Sequence, residues 1–186
     1  MQKAKTIFCM LLLVLLPGCT SGEKTLEPAI LFRADLLNAA GCSFSAQVSA
    51  DFGDLVYEIS MDCVVSDGTT SVTVTSPDTL SGITAHIANE TGTVTFDEVA
   101  LDFGVLQDGN FAPMAAPGIV AQCWQTAYIA AAGEADGSYC VTYEQGYQDE
   151  KITVDTWFAD QIPQYAELRN GEKCLVKMTI SNFQFT

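Results

Sequence analysis

The side chains able to do chemistry here are seven cysteines, one histidine and 23 scattered carboxylates. Catalysis needs a nucleophile, a base or a metal held in position. The thiols are Cys9, Cys19, Cys42, Cys63, Cys123, Cys140 and Cys174; none forms C-x-x-C, and His86 is close to none of them in sequence. That spacing argues against a zinc site. G-x-S-x-G and H-E-x-x-H are both missing. His86 alternates with Ile83, Ala85 and Ile87, so a strand here turns the imidazole to the polar side, beside Thr84. The pairs Asp97-Glu98 and Asp149-Glu150 fall near strand ends or turns and read as solvated. Asp155 and Asp160 flank Trp157 and Phe158 in the manner of a sugar platform, but neighbouring strand residues point to opposite faces. Cys123, inside an apolar stretch, reads as a packing thiol. These residues point away from an enzyme, a metal centre or a cofactor.

Cys19 stands apart because of what surrounds it. Lys3 and Lys5 precede an uncharged run over residues 7–16, and that run ends in Leu16-Pro17-Gly18-Cys19. A basic start, an apolar core and a small residue at the cut describe an export signal. The core is shorter than the roughly 20 apolar residues of a spanning helix. The final tetrad resembles the lipobox of bacterial lipoproteins. The resemblance implies that Gly18 precedes the cut and that Cys19 takes a diacylglyceryl group as a thioether. Pro17 stands where a smaller residue is commoner. Each buried acyl CH₂ contributes about 0.8 kcal/mol, and two chains hold a protein stably. The expected organisation is a signal over 1–18, a lipidated tether over 19–25 and one domain over 26–186. The expected location is the outer face of the cell membrane. Loss of Lys3 and Lys5 takes the formal charge from −15 to −17, which repels nucleic acid and anionic lipid alike. Five cysteines remain after Cys19, so at least one stays outside any bridge within the chain.

The elements that position these residues read as mostly antiparallel strands. Residues 26–40 predict a helix: Pro28 suits its first turn, Gly41 its stop, and Leu26, Ile30, Leu36 and Leu37 give an apolar stripe. The period then changes to two. Cys42, Phe44, Ala46, Val48 and Ala50 share one face, and Leu55, Tyr57, Ile59, Met61 and Cys63 share another. Folding about Phe52-Gly53 pairs Ala50 with Leu55, Val48 with Tyr57, Ala46 with Ile59 and Phe44 with Met61. The hairpin gains one apolar and one wet face. Cys42 and Cys63 then meet in a closer, non-hydrogen-bonded pair, where a disulfide could form; two thiols packed in a core are the alternative. Further strands are expected over 69–76, in "ITAHIA" and "TVTFDEVALDF", and in four runs after residue 137. A three-residue loop at Asn170-Gly171 would align Ala166 and Leu168 with Cys174, Val176, Met178 and Ile180. Residues 118–132 predict an alanine-rich helix whose polar stripe is only Gln122, Gln125 and Thr126. At about 22 Å it is too short to cross a membrane, so it is expected to lie buried or across an apolar cavity.

This layout of helix, antiparallel strands, apolar helix and more strands resembles the LolA/LolB superfamily of lipoprotein carriers, which includes LppX and LprG. The likeness lies in the first hairpin, in "TVTSPDTLSGITAHI" and in the closing "PQYAELRNGEKCLVKMTISNFQF". It implies an α+β fold: a strongly curved antiparallel half-barrel with about two helices, one covering the concave apolar face. It also implies a hydrophobic ligand, a lipid or acyl chain, bound or transferred at the cell envelope without catalysis. No ligand-contact motif of that superfamily maps onto named positions here. From the residues themselves, Phe44, Val48, Leu55, Tyr57, Ile59, Met61, Trp124 and Tyr128 are the expected lining, core first and pocket second. A structural or protein-interaction lipoprotein with a filled core is the alternative, and a sugar-binding one a weaker third.

Overall fold

The computed structural model describes residues 21–186 apart from 52, 54–55, 89–90, 97–98, 105, 108–109, 136 and 147–150. Helix α1 spans Ser21–Asn38. Six strands follow: β1 (Gly41–Asp51), β2 (Val56–Ser66), β3 (Thr69–Ser76), β4 (Thr84–Ala88), β5 (Thr91–Phe96) and β6 (Val99–Gly104). A small ribbon, β7 (Leu106–Gln107) and β8 (Asn110–Phe111), leads through a 3-10 turn (Pro113–Ala115) into α2 (Ala116–Thr126). Five more strands complete the chain: β9 (Tyr128–Ala135), β10 (Ser138–Gln145), β11 (Ile152–Ala159), β12 (Ile162–Asn170) and β13 (Lys173–Phe185).

Eleven strands form one open sheet in the order β6-β5-β4-β3-β2-β1-β13-β12-β11-β10-β9. It consists of two meanders joined where β1 pairs antiparallel with β13. Its outer edges are β6 and β9, so the chain must cross from one edge to the other, and α2 lies on that crossing. Helix α2 packs against β2 and β3 of the first meander and against β10, β12 and β13 of the second. Six strand spacings separate β3 from β10, about 29 Å on a flat sheet. An 11-residue helix is only about 16 Å long. It reaches both sides because the sheet curves around it. The molecule is an α+β half-barrel with α2 on its concave face.

The strand alternation explains which face is inside. Phe44, Ala46, Val48 and Ala50 on β1, and Ile59, Met61, Cys63 and Val65 on β2, are all buried. Between them Gln47, Asp62 and Val64 face solvent. Val141, Tyr143, Val154, Leu168, Met178 and Ile180 supply the core from the second meander. At the join, Gly41 and Thr186 exchange two backbone hydrogen bonds, 3.2 and 2.9 Å. A Cβ at Gly41 would run into the Val65 carbonyl oxygen on β2, so the close approach of β1 to β2 at this point needs glycine.

Three expectations of local structure are corrected. The first hairpin is shifted by two residues. Asp51 pairs with Val56, Ala50 with Tyr57, Val48 with Ile59, Ala46 with Met61 and Phe44 with Cys63, so Cys42 meets Val65. The connection is longer than the alternation suggested, and the Asp51 carboxylate accepts a 2.8 Å hydrogen bond from the Gly53 N–H at its start. A slip of two leaves every side chain on its own face, so apolar matching could not separate the two registers. Second, the alanine-rich helix ends at Thr126. Ala127 turns extended at ψ 157°, and Tyr128 onward becomes an edge strand on β10. Backbone pairing there overrides helix propensity. Third, a bulge at Leu168/Arg169 sets the β12–β13 faces. Ala166, Leu168, Val176, Met178 and Ile180 stay inside, while Cys174 falls opposite Arg169, outside that row.

Candidate functional site

The concave face is packed. Phe44, Val48, Ile59, Met61 and Trp124 are all buried in it. Tyr57 is 43% exposed near the end of its strand, and Tyr128 is 71% exposed at the start of β9, so neither belongs to the lining expected of them. Tyr128 escapes because the helix that would have turned it inward stops short of it. Leu55, Gly18 and Cys19 lie outside the described residues. From α2, Ile119, Val120, Cys123 and Trp124 fill the groove. Trp124 is fully buried, and its indole N–H donates to the Thr156 hydroxyl at 3.0 Å. That bond satisfies the one polar atom of the largest core side chain.

Arg33 of α1 holds the end of this helix. Its Nε–H donates to the Trp124 carbonyl at 2.7 Å. Its Nη2 donates to the Cys123 carbonyl at 3.2 Å and the Ala127 carbonyl at 2.7 Å. The Cys123 carbonyl also accepts the Ala127 N–H at 3.1 Å, whereas carbonyls beyond it in the last turn have no intrahelical partner, and a cation there also meets the negative end of the helix dipole. The guanidinium sits 5.6 Å from the Tyr143 ring centroid, which adds a cation–π contact. The Tyr143 hydroxyl is buried with no hydrogen-bond partner among the described residues. Desolvation drives its pKa well above the usual tyrosine value, against the lowering effect of Arg33. Sequence reasoning missed Arg33 as a functional residue. The available signal was a cation set among Ala29, Phe32 and Leu36, the inward residues of an otherwise apolar helical arc.

Beside that latch an aromatic cluster closes one end of the half-barrel. Phe32 packs on Phe158 at 5.0 Å and on Trp124 at 5.7 Å between centroids. Phe183 stands 6.0 Å from Phe32. A cleft of about 250 Å³ opens above Phe32 and Phe158, between α1 and the turn joining β11 to β12. Pro28, Ala29 and Tyr139 complete its apolar wall, and Glu134, Asp160 and Gln161 form its rim. The Tyr139 hydroxyl donates to the Thr25 carbonyl at 2.6 Å, tying β10 to the start of α1. Asp160 and Gln161 make the turn at φ 50° and 63°, the double positive-φ geometry that hairpins favour. On the opposite side of α1, smaller hollows of about 200 and 130 Å³ share Val65, Gly68 and Gln125.

The thiols are kept neutral. Burial pushes the Cys42 thiol from its ordinary 9.0 up to about 12. Cys123 reaches about 12 for the same reason, in spite of Arg33 nearby, and its Sγ lies 3.4 Å from the Gln145 amide oxygen. Cys63 is raised by burial first, then by Asp62 and Cys42. Cys42 and Cys63 are free thiols, which corrects the disulfide their expected register allowed. Neither is suited to nucleophilic work, which needs the thiolate.

His86 is exposed on the outer face, 2.9 Å from the Ser71 hydroxyl through Nδ1. Thr93, its neighbour on the next strand, donates instead to Asp102 at 2.8 Å. These residues form a cross-strand polar ladder on the outer face of the sheet. No group of three or more His, Cys, Asp or Glu side chains able to hold a metal occurs among the described residues. Trp157 and Phe158 do point apart: Phe158 joins the core cluster, and Trp157 packs on Tyr165 at 5.3 Å with the rings tilted by 51°. Asp155, buried on the outer face, is ion-paired with Arg169 and accepts a 2.7 Å hydrogen bond from Thr142.

No family model and no curated protein matches the sequence. Solved structures do match. A DUF1329 family protein from Desulfovibrio piger aligns over 88% of this chain and 92% of its own, at 11% identity and a TM-score of 0.51. A LolA superfamily protein from Nitrosomonas europaea aligns over 90% and 94%, at 9% identity and 0.48. The lipoprotein LppX from Mycobacterium tuberculosis aligns over 88% and 96%, at 15% identity and 0.41. At 11% identity, what the chain shares with the Desulfovibrio protein is a fold.

Proposed function

We propose that this chain is an exported lipoprotein, tethered through Cys19 after cleavage at Gly18, whose half-barrel takes up a hydrophobic chain at the cell envelope. The observation that supports it most directly is the cleft walled by Ala29, Phe32, Tyr139 and Phe158. It is apolar at its floor, acidic at its rim and continuous with the aromatic cluster under α2. Its 250 Å³ lies just below the roughly 300–1,000 Å³ of drug-sized sites. It accepts the end of one acyl chain as it stands. A longer guest needs α2 to lift out of the concavity, and Arg33 is the contact that holds α2 down. The lipobox, the acidic charge and the like-folded lipoproteins agree with this role. No step of it requires a catalytic group.

The filled core under α2 favours a second reading, a structural or protein-interaction lipoprotein without a ligand. One experiment separates them. The domain lacking Cys19 is purified and titrated with a dansyl-labelled undecanoic acid. Saturable binding that is lost in Ala29→Trp, which fills the cleft, supports uptake of a chain. Absence of binding by both proteins sinks it and leaves the filled-core reading.

A further inference from the structure

We infer that the outer face of α1 is a docking surface for the lipid bilayer, so that the domain lies on the membrane along this helix. The inference rests on the proposed acylation of Cys19. Helix α1 buries Ala29, Phe32 and Leu36 against the sheet. Its other side carries Ile30, Leu31 and Leu37 at 56, 48 and 59% exposure, with Ala34 exposed between them. At 3.6 residues per turn these four cover an arc of about 120°, on which exposed Glu27 stands one turn before them and exposed Asn38 directly after. Single exposed apolar residues are ordinary; four on one face over about two helical turns make a stripe. Tyr128 extends it. That residue follows Ala127, whose carbonyl takes a hydrogen bond from Arg33 of α1. Tyrosine suits a boundary that is apolar on one side and wet on the other.

The chain before α1 identifies the occupant. Helix α1 begins at Ser21, with Thr20 alone between it and Cys19. Two residues reach about 7 Å at most. An acyl group on Cys19 therefore brings the start of α1 to the lipid headgroups, because the helix takes up residues 21–25 of the tether expected over 19–25. With the inner side of α1 already packed, its free apolar stripe is the side that meets the bilayer. No described helix is long and apolar enough to cross it, so the helix lies along the surface, as interfacial helices do. Exposed Glu27 and Asp35 on α1, together with the net charge, favour zwitterionic over anionic lipid.

The test uses the full acylated chain reconstituted into phosphatidylcholine vesicles brominated at shallow or at deep acyl positions. An Ile30→Trp reporter is compared with the parent chain, whose own tryptophans supply the background. The mass of the N-terminal peptide records acylation separately. The expected result is acyl mass present and reporter emission roughly halved by shallow bromines, less by deep ones. Adding Leu31→Glu and Leu37→Glu should cut that quenching at least fivefold, with circular dichroism unchanged. Acyl mass without quenching overturns the inference and leaves the anchor standing. A chain without acyl mass overturns both. Burial of the reporter in a concentration-dependent dimer also overturns it, assigning the face to a second copy.

Discussion

Arg33 is the residue on which the interior depends most visibly. It bonds three carbonyls 90 or more residues away. Arg33→Met keeps the length of the stem and removes every donor. It should lower unfolding free energy in urea by about 2–4 kcal/mol, since each buried group left unpaired costs about 1–3 kcal/mol. Arg33→Lys should recover only part of this, because one ammonium cannot reproduce the planar fork. The buried thiols predict an alkaline limit. Cys42 and Cys123 titrate near 12 in the folded chain against 9.0 ordinarily. The folded state thus holds protons that the unfolded state releases. Stability from these groups is full below about pH 9 and falls as pH rises toward 12. Urea midpoints measured from pH 8 to 11 should decline, and Cys42→Ala with Cys123→Ala should flatten the decline. Iodoacetamide at pH 8 should label Cys174, half-buried, well before either of them.

At the scale of elements, the decisive contact is the seat of α2 on the sheet. Gly118 lies so close to β4 that a Cβ would stand 2.9 Å from the Ile87 side chain. Gly118→Val should therefore overpack this seam and cost about 1–3 kcal/mol, readable as a lower melting temperature. Two-residue periodicity told which residues of β1 and β2 look inward, because side-chain direction is a local property of a strand. It did not tell which residues sit opposite each other. Registers two apart bury the same set, so periodicity alone left the choice open. The same limit applies to Cys174, displaced by a bulge that no local pattern announces. "YIAAAG" illustrates the opposite failure: its helix propensity is real, yet the unpaired edge of β10 offers a full ladder of backbone hydrogen bonds.

At the scale of the whole molecule, the open sheet and its single crossover seat α2 on the concave face as a separate piece of the core. If chain uptake requires α2 to lift, weakening the Arg33 latch should speed it. Stopped-flow mixing of the dansyl probe with Arg33→Lys should give a faster binding phase than the parent. An unchanged rate would confine the guest to the cleft beside Phe158, which needs no such motion.

By itself the sequence determined what is local: the inward faces of β1 and β2, the buried nature of α2, the exposed setting of His86, and the motif around Cys19. Each follows from spacing along one stretch of chain. Tertiary structure alone decided the β1–β2 register, the point where α2 gives way to β9, the three carbonyls that take Arg33, and the filling of the concave face by Trp124. Those outcomes depend on pieces of chain far apart in sequence competing for the same space and the same hydrogen bonds. No window of a few residues contains both competitors.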